Sequence, residues 1–306
     1  MLTLLAQRLL QSALILLGVA VITFALLYAL PADPAVMIAG RSATAKTVAN
    51  IRHELGLDQP LPIQFWHYLT GLLQGDLGRS YAQKTEVETL IRARLPATLI
   101  LMGAGIAVEV MLGLGLGMLA ALRRGGFVDR AVMTASFVGV SAPQFVVALV
   151  FLYVFAVTLG WFPMSGFGTP AHVVLPALTL GVLGAGWYAR MVRSAMIDVL
   201  NQDYIRTANA KGLSSRRVVL RHALPNALLP IIAMIGIDIG QFMGGVVVVE
   251  AVYGWPGIGQ LAWQAIQQVD IPIIMGVTLV SAFAIVMGNL LADILAPLVD
   301  PRIRSR

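Results

Sequence analysis

The sequence predicts an all-α polytopic membrane protein with six transmembrane helices and a helical outer loop between the first two. Of its 306 residues, 58% are hydrophobic and 12% charged, and the mean hydropathy is +0.83. A soluble domain has about a quarter of its residues charged. Several apolar runs exceed the roughly 20 residues that a helix needs to cross a bilayer. Barrel strands would instead be short and alternating. Lys and Arg also gather in particular connections, as the topology of a membrane protein requires.

The first span is expected at about 9–30, within an N-terminal segment 1–30. Its start is weakly basic and no small-residue cleavage site follows, so it reads as a retained helix rather than a signal peptide. Residues 31–95 form an outer loop with helical patterning. Val48, Ile51 and Leu55 recur at helical spacing before Gly56, and Phe65, Leu69, Leu72 and Leu73 do so before Gly75. Two amphipathic helices capping the outer face fit this pattern. Residues 96–306 supply a five-helix core.

Span two, at about 96–122, is interrupted only by Glu109. The uncharged run 131–163 is too long for one straight crossing at about 1.5 Å per residue. Pro143 lies inside it, and the residue before a proline avoids the α region. A short interfacial helix at 129–141 and a third span at 144–160 are therefore expected. The remaining spans fall at about 173–195, 225–249 and 273–296. Segments 123–130, 190–222 and 302–306, with Arg8, hold fourteen of the 21 Lys and Arg, whereas 160–173 and 251–272 hold none. The positive-inside rule then puts both termini in the cytoplasm and the loops 31–96, 160–173 and 251–272 outside.

Much chemistry is excluded. The chain has no cysteine, hence no disulfide. Its net charge of +6 sits mostly beside the spans, where it sets topology, so nucleic acid is not an expected partner and membrane lipid is. His53, His67, His172 and His222 have no metal-ligand spacing. The run GAGIAVEVMLGLGLG, 103–117, lies inside a span and fits close helix packing rather than phosphate binding. GxxxxGK[ST] and the G-x-S-x-G nucleophile elbow are both missing, so no cofactor, metal or enzymatic activity is expected in this chain.

Three acids interrupt the spans: Glu109, Asp238 and Asp293. Each costs about 2.5–3.5 kcal/mol at a helix centre and should face protein or water. Asp238 and Gln241 share a helical face. They either line a translocation path, or Asp238 makes an interhelical hydrogen bond or an ion pair with Arg190 or Arg193. Both readings stand for Asp238. Glu109 fits the structural role slightly better, and Asp293 sits near the cytoplasmic end.

The most informative stretch is 203–225, DYIRTANAKGLSSRRVVLRHALP. Tyr204, Ile205 and Ala208 share a helical face, and Gly212 permits a turn with positive φ. Ser214 or Ser215 can cap a second helix carrying Arg216, Arg217 and Arg221, and Pro225 marks the start of the next span. Two short helices joined at a glycine make a rigid elbow. The stretch resembles the cytoplasmic loop of ABC-importer permeases, whose pattern is E-A-A, three residues, Gly, nine residues, I-x-L-P. Arg206, Thr207 and Ala208 fall on E-A-A, Gly212 on the glycine, and His222, Leu224 and Pro225 on I-x-L-P. Arg206, Thr207 and His222 depart from the general pattern, but R-T-A-x-A-K-G-L is similar to the dipeptide/oligopeptide/nickel branch. LPADP (30–34), LGLDQPL (55–61), GDLGRS (75–80), LPATL (95–99), VVEAVYGWPGIGQL (248–261) and LVDPRIR (298–304) also resemble that branch, so the likeness covers nearly the whole chain.

The resemblance implies a type I ABC importer permease fold in a bacterial inner membrane. It implies pairing with a second, homologous permease, two cytoplasmic ATPase subunits that hold ATP and Mg, and an extracytoplasmic binding protein. Loop 198–225 would couple to the ATPases through Tyr204, Arg206, Thr207, Ala208, Asn209, Ala210, Lys211, Gly212, Leu224 and Pro225. Asp238, Gln241 and Glu109 would line the path. Trp255, Pro256 and Gly257 form an uncharged outer turn that contacts the binding protein, plugs the outer mouth or anchors at the interface. Peptides are the expected cargo, with nickel, metal chelates or glutathione as alternatives. A self-sufficient secondary transporter is the competing class. It usually shows inverted repeats, and none is visible here.

Overall fold

The structure, a computed structural model, describes residues 2–29, 34–40, 43–54 and 56–299. Leu55, most of LPADP, the end of LVDPRIR and the Asp293 side chain lie outside the described residues. Among those described, regular structure is helical apart from one isolated antiparallel bridge, Arg79–Glu86. Four helices are long and apolar enough to cross a membrane: α1 (Leu2–Ala29), α5 (Val87–Leu122), α8 (Pro170–Leu200) and α15 (Ile271–Val299). Two bent pairs raise the number to six if each is one span. The first joins α6 (Phe127–Ser141) to α7 (Gln144–Phe151) and a π-helical continuation, Leu152–Thr158, at 103°. Ala142 there is extended and Pro143 caps α7, so the proline break appears where its geometry demands.

The second pair departs from the expected single span 225–249. The chain runs through α10 (Ser215–Arg217), a π-helical segment Val218–Ala223 and α11 (Leu224–Ala227), then α12 (Leu229–Gly245), with a 50° bend. Pro230 opens α12 without an N–H to give, so the ladder is interrupted there as well as at Pro225. α9 (Asp203–Ala210) precedes this pair, and α13 (Val247–Val252) follows it.

The chain forms two compact units, Met1–Pro96 with Gly257–Phe283 and Ala97–Pro256 with Ala284–Arg306. In the first, the outer segment is helical, as α2 (Pro34–Ala39), α3 (Ala45–Glu54) and α4 (Leu61–Leu73). α4 packs on α1 through aromatic rings: Phe24 meets Phe65 edge-on at 5.1 Å and stacks on Tyr68 at 5.7 Å. α14 (Ile258–Gln268) also belongs to this unit. The hinge between α14 and α15 is held by Asp270, which is fully buried. Its carboxylate accepts from Ser80 Oγ at 2.5 Å and from the backbone N–H of Tyr81 and Ala82 at 3.2 and 3.0 Å. Val269, just before it, has φ +55°, a left-handed conformation that a β-branched residue rarely adopts.

The second unit is built on α8, whose buried face runs from Leu175 to Met196. The run of glycines in α5 serves packing. A Cβ on Gly117 would stand 2.5 Å from the Ala189 carbonyl oxygen and 2.7 Å from Val192 Cβ, and one on Gly113 would overlap Tyr188. α8 returns the favour: a Cβ on Gly181 would overlap Val108. Small residues at such crossings let backbones touch, where lipid supplies no hydrophobic drive for helix association.

Replacing Gly117 with valine should destabilise the detergent-solubilised protein by about 1–3 kcal/mol, because overpacking must push the helices apart. Gly115, with open space around it, should accept valine with little change in thermal unfolding. In the first unit, Asp270→Asn exchanges a charged acceptor for a neutral one that also brings its own donors. Limited proteolysis should then show faster cleavage in 80–84, consistent with a loss of about 1–3 kcal/mol.

Candidate functional site

The elbow is present and is anchored from within. Lys211 caps the end of α9, and Gly212 turns the chain with φ +75°. The Gly212 N–H donates to the Asn209 carbonyl at 2.9 Å. Ser214 takes the N-cap position of α10, yet its side chain makes no capping hydrogen bond. Ile205, 2% exposed, and Ala208 point inward onto Tyr188, Val192 and Met196 of α8 and onto Val218 and Ala223. Tyr204 faces outward. Arg206, Thr207, Asn209, Ala210, Lys211, Gly212 and Pro225 are exposed and Leu224 is half-buried. Ala208 is thus part of the anchor, while its neighbours form the surface. Arg206 already lies 3.3 Å from Asp203 on its own helix. Such an exposed pair is worth about 0–1 kcal/mol.

The second feature is a cavity of about 360 Å³ in the second unit, lined by Glu109 of α5, Gly184 and Tyr188 of α8, Asp238 and Gln241 of α12, and Gln144 of α7. The three expected path residues therefore meet in one place. An adjoining recess of about 500 Å³ shares Gln144 and Gln241 with it and adds Asn289. Tyr188 Oη donates to Asp238 Oδ2. Glu109 is 3% exposed, and its Oε2 has no hydrogen-bond partner. The two carboxyl groups are close enough to feel each other's charge. A Cβ at Gly184 would fall on the Glu109 carboxyl group, so that glycine is what seats it.

No ion pair joins Asp238 to Arg190 or Arg193. Arg193 reaches Asp129, with Nε at 2.5 Å and Nη2 at 2.7 Å from the two carboxylate oxygens. Arg190 lies over the rings of Trp187 and Phe137, at 4.3 and 4.9 Å. Tyr188, Gly184 and Gln144 were not singled out from sequence. One signal did exist: Gly105, Glu109, Gly113 and Gly117 follow one another at four-residue steps, so Glu109 occupies a glycine's place in the packing stripe.

The outer turn needs correcting. Trp255, expected at an outer turn, is fully buried. Its Nε1 donates to the Ala97 carbonyl at 2.9 Å, and Phe167 meets its ring edge-on at 4.9 Å. An indole so enclosed offers nothing to a partner or a lipid interface. Pro256 is half-buried, and Gly257, also buried, is the N-cap of α14.

Residues 113–305 match the family model of binding-protein-dependent transport system inner membrane components, and residues 1–102 match the model of the N-terminal part of such membrane components. The chain is 41% identical over 306 residues to the glutathione transport system permease protein GsiC of Salmonella choleraesuis (strain SC-B67), covering 100% of both chains. It is 42% identical over 300 residues to GsiC of Pectobacterium atrosepticum, covering 98% of each. The chain belongs to the binding-protein-dependent transport system inner membrane components. It is accordingly a permease component of a bacterial ABC importer, a multi-pass inner-membrane protein and not an enzyme. Its fold is similar to that of the MetNI methionine ABC transporter in inward-facing conformations, with TM-scores of 0.58 and 0.60 at 22% and 19% identity. Each superposition covers 69% of this permease and 96% of the solved chain.

Truncating Ile205 to alanine should loosen the elbow of the permease, at a cost of about 2–5 kcal/mol for a well-packed site. Hydrogen exchange should accelerate across 203–213 and leave the buried face of α8 protected.

Proposed function

We propose that this permease forms half of the translocation path of an ATP-driven importer for glutathione or a related short peptide, and couples that path to cytoplasmic ATPase subunits. The observation that carries the proposal is the elbow. It presents Tyr204, Arg206, Thr207, Asn209, Lys211 and Gly212 to solvent while Ile205 and Ala208 fix it to the bundle. A full-length relationship to permeases named for glutathione transport supports the cargo class.

In this reading a second, homologous permease supplies the other half of the path. Two cytoplasmic ATPases hold ATP and Mg, and each receives one elbow. Exposed ion pairs are weak, so shape dominates that docking. The basic loop and both termini lie in the cytoplasm, a placement that the charge asymmetry supports. An extracytoplasmic binding protein delivers substrate to the outer face, with Pro256 and Gly257 near the contact. Glu109, Asp238 and Gln241 line the path, supported by their shared cavity. Closure of the ATPase dimer moves the elbows and turns the path outward.

Gly212→Val tests the coupling role. Valine at φ +75° is strained by about 1–3 kcal/mol, although nothing lies within 4 Å of a Cβ there to block it. In proteoliposomes holding the complete importer, glutathione uptake and substrate-stimulated ATP hydrolysis should both fall at least ten-fold while the subunits still co-purify. Normal stimulated hydrolysis would sink the coupling role. Uptake driven by an ion gradient without the ATPases would favour a secondary transporter instead.

A further inference from the structure

We infer that the cavity among α5, α8 and α12 is a subsite for a primary ammonium group carried by the transported molecule, with the acids Glu109 and Asp238 on its wall. The inference rests on the reading of Glu109, Asp238 and Gln241 as path-lining. Its first support is the unpartnered Oε2 of Glu109, buried on a group that is 3% exposed. Leaving a buried carboxylate oxygen without a donor is costly, and the cost is removed when an occupant brings one.

The second support is charge. Two acids line the cavity, and no Lys, Arg or His does. On α8, Arg193 is paired with Asp129, and Arg190 lies over two aromatic rings with its buried Nη2 lacking a hydrogen-bond partner, but neither lines the cavity. An occupant carrying a positive charge would compensate the pair in place of a proton. The third is donor balance. The Tyr188 hydroxyl gives its proton to Asp238, and the two acids are hydrogen-bonded to each other, so acceptor capacity opens when that shared proton is replaced by an incoming donor. An ammonium group carries three donors and no acceptor, which is the complement.

The Glu109 carboxyl group is seated directly against Gly184, in space that a Cβ there would fill. The chain thus reserves a glycine to hold an acid at this point. A bare metal ion fits less well. Two carboxylates are too few for a cage of oxygen ligands, and among the described residues no cluster of three or more His, Asp or Glu is gathered for one. The volume of about 360 Å³ is instead within the range of small-molecule pockets. It admits the amino-bearing end of a short peptide.

The chain has no cysteine, so Gln241→Cys introduces a single thiol on the cavity wall. The assembled importer in detergent would be treated with 2-aminoethyl methanethiosulfonate or its sulfonatoethyl counterpart. In each case the thiolate forms a mixed disulfide and methanesulfinate leaves. Modification is read from the intact mass of this chain, and rates are normalised to those for free cysteine. The ammonium reagent should be preferred at least ten-fold. Adding Glu109→Gln and Asp238→Asn should bring the preference to within two-fold of free cysteine. Either substitution by itself should cut it at least three-fold, which keeps the test open if the double variant does not assemble. Rapid modification without preference would overturn the ammonium site and leave the path reading intact. A preference that survives both neutralisations would overturn it as well. A thiol that neither reagent reaches would overturn both.

Discussion

The second unit depends on the backbone contact between α5 and α8. Gly113 and Gly117 on one helix and Gly181 and Gly184 on the other leave no room for side chains at the crossing. Between helices in lipid the attraction is mainly van der Waals packing, so close approach is the source of stability rather than a by-product. Everything described as a site follows from that approach. It fixes the height of Glu109 opposite Gly184 and sets Tyr188 within reach of Asp238. It also places Val192 and Met196 beneath the elbow.

Buried polar bonds then secure the places where the chain changes direction. Thr98 donates to Glu250 at 2.8 Å, Tyr253 donates to the Ala148 carbonyl at 3.1 Å, and Trp255 donates to the Ala97 carbonyl. The first unit uses the same device at Asp270, next to the left-handed Val269. A β-branched residue in that conformation costs about 1–3 kcal/mol and persists only where its surroundings over-determine it. Three hydrogen bonds to the neighbouring carboxylate do so here. Each is worth roughly 1.5–3 kcal/mol because the acceptor is charged. Together they outweigh the strain.

The parts of this structure governed by local rules were legible in the sequence. Hydrophobic run length gave the spans, Pro143 gave the sharp bend, and Gly212 gave the turn of the elbow. Alternation of Ile205 and Ala208 with charged neighbours marked an amphipathic α9, although Tyr204 falls on its outer side. The interhelical hydrogen bond at Asp238 was one of the expected alternatives, and what failed was the pairing with an arginine. An acid in a span needs a donor, and both nearby arginines were reasonable candidates. Asp129, at the first turn of α6, takes Arg193 instead, and Asp238 is left to Tyr188. Burial of Trp255 failed for a related reason. Its sequence neighbours read as a Gly/Pro turn in an outer loop, but the indole reaches back to a carbonyl 158 residues away. Such pairings are set by helix crossings, which leave only a faint trace in sequence. The spacing of Glu109 within the glycine stripe was such a trace.

The elbow and the acid cavity are joined by shared residues rather than by proximity in sequence. Tyr188 lines the cavity and binds Asp238, and it also belongs to the buried cluster under Ile205 and Ala208. Protein interiors are close-packed and resist compression. In the proposed coupling, a load on α9 is passed through that cluster to α8 rather than absorbed by it. A shift of α8 carries Gly184 with it, and Gly184 is the seat of the Glu109 carboxyl group. Packed interfaces tend to switch between discrete arrangements rather than deform continuously. The same crossing that stabilises the unit therefore links the seat of the two acids to the buried cluster beneath the elbow.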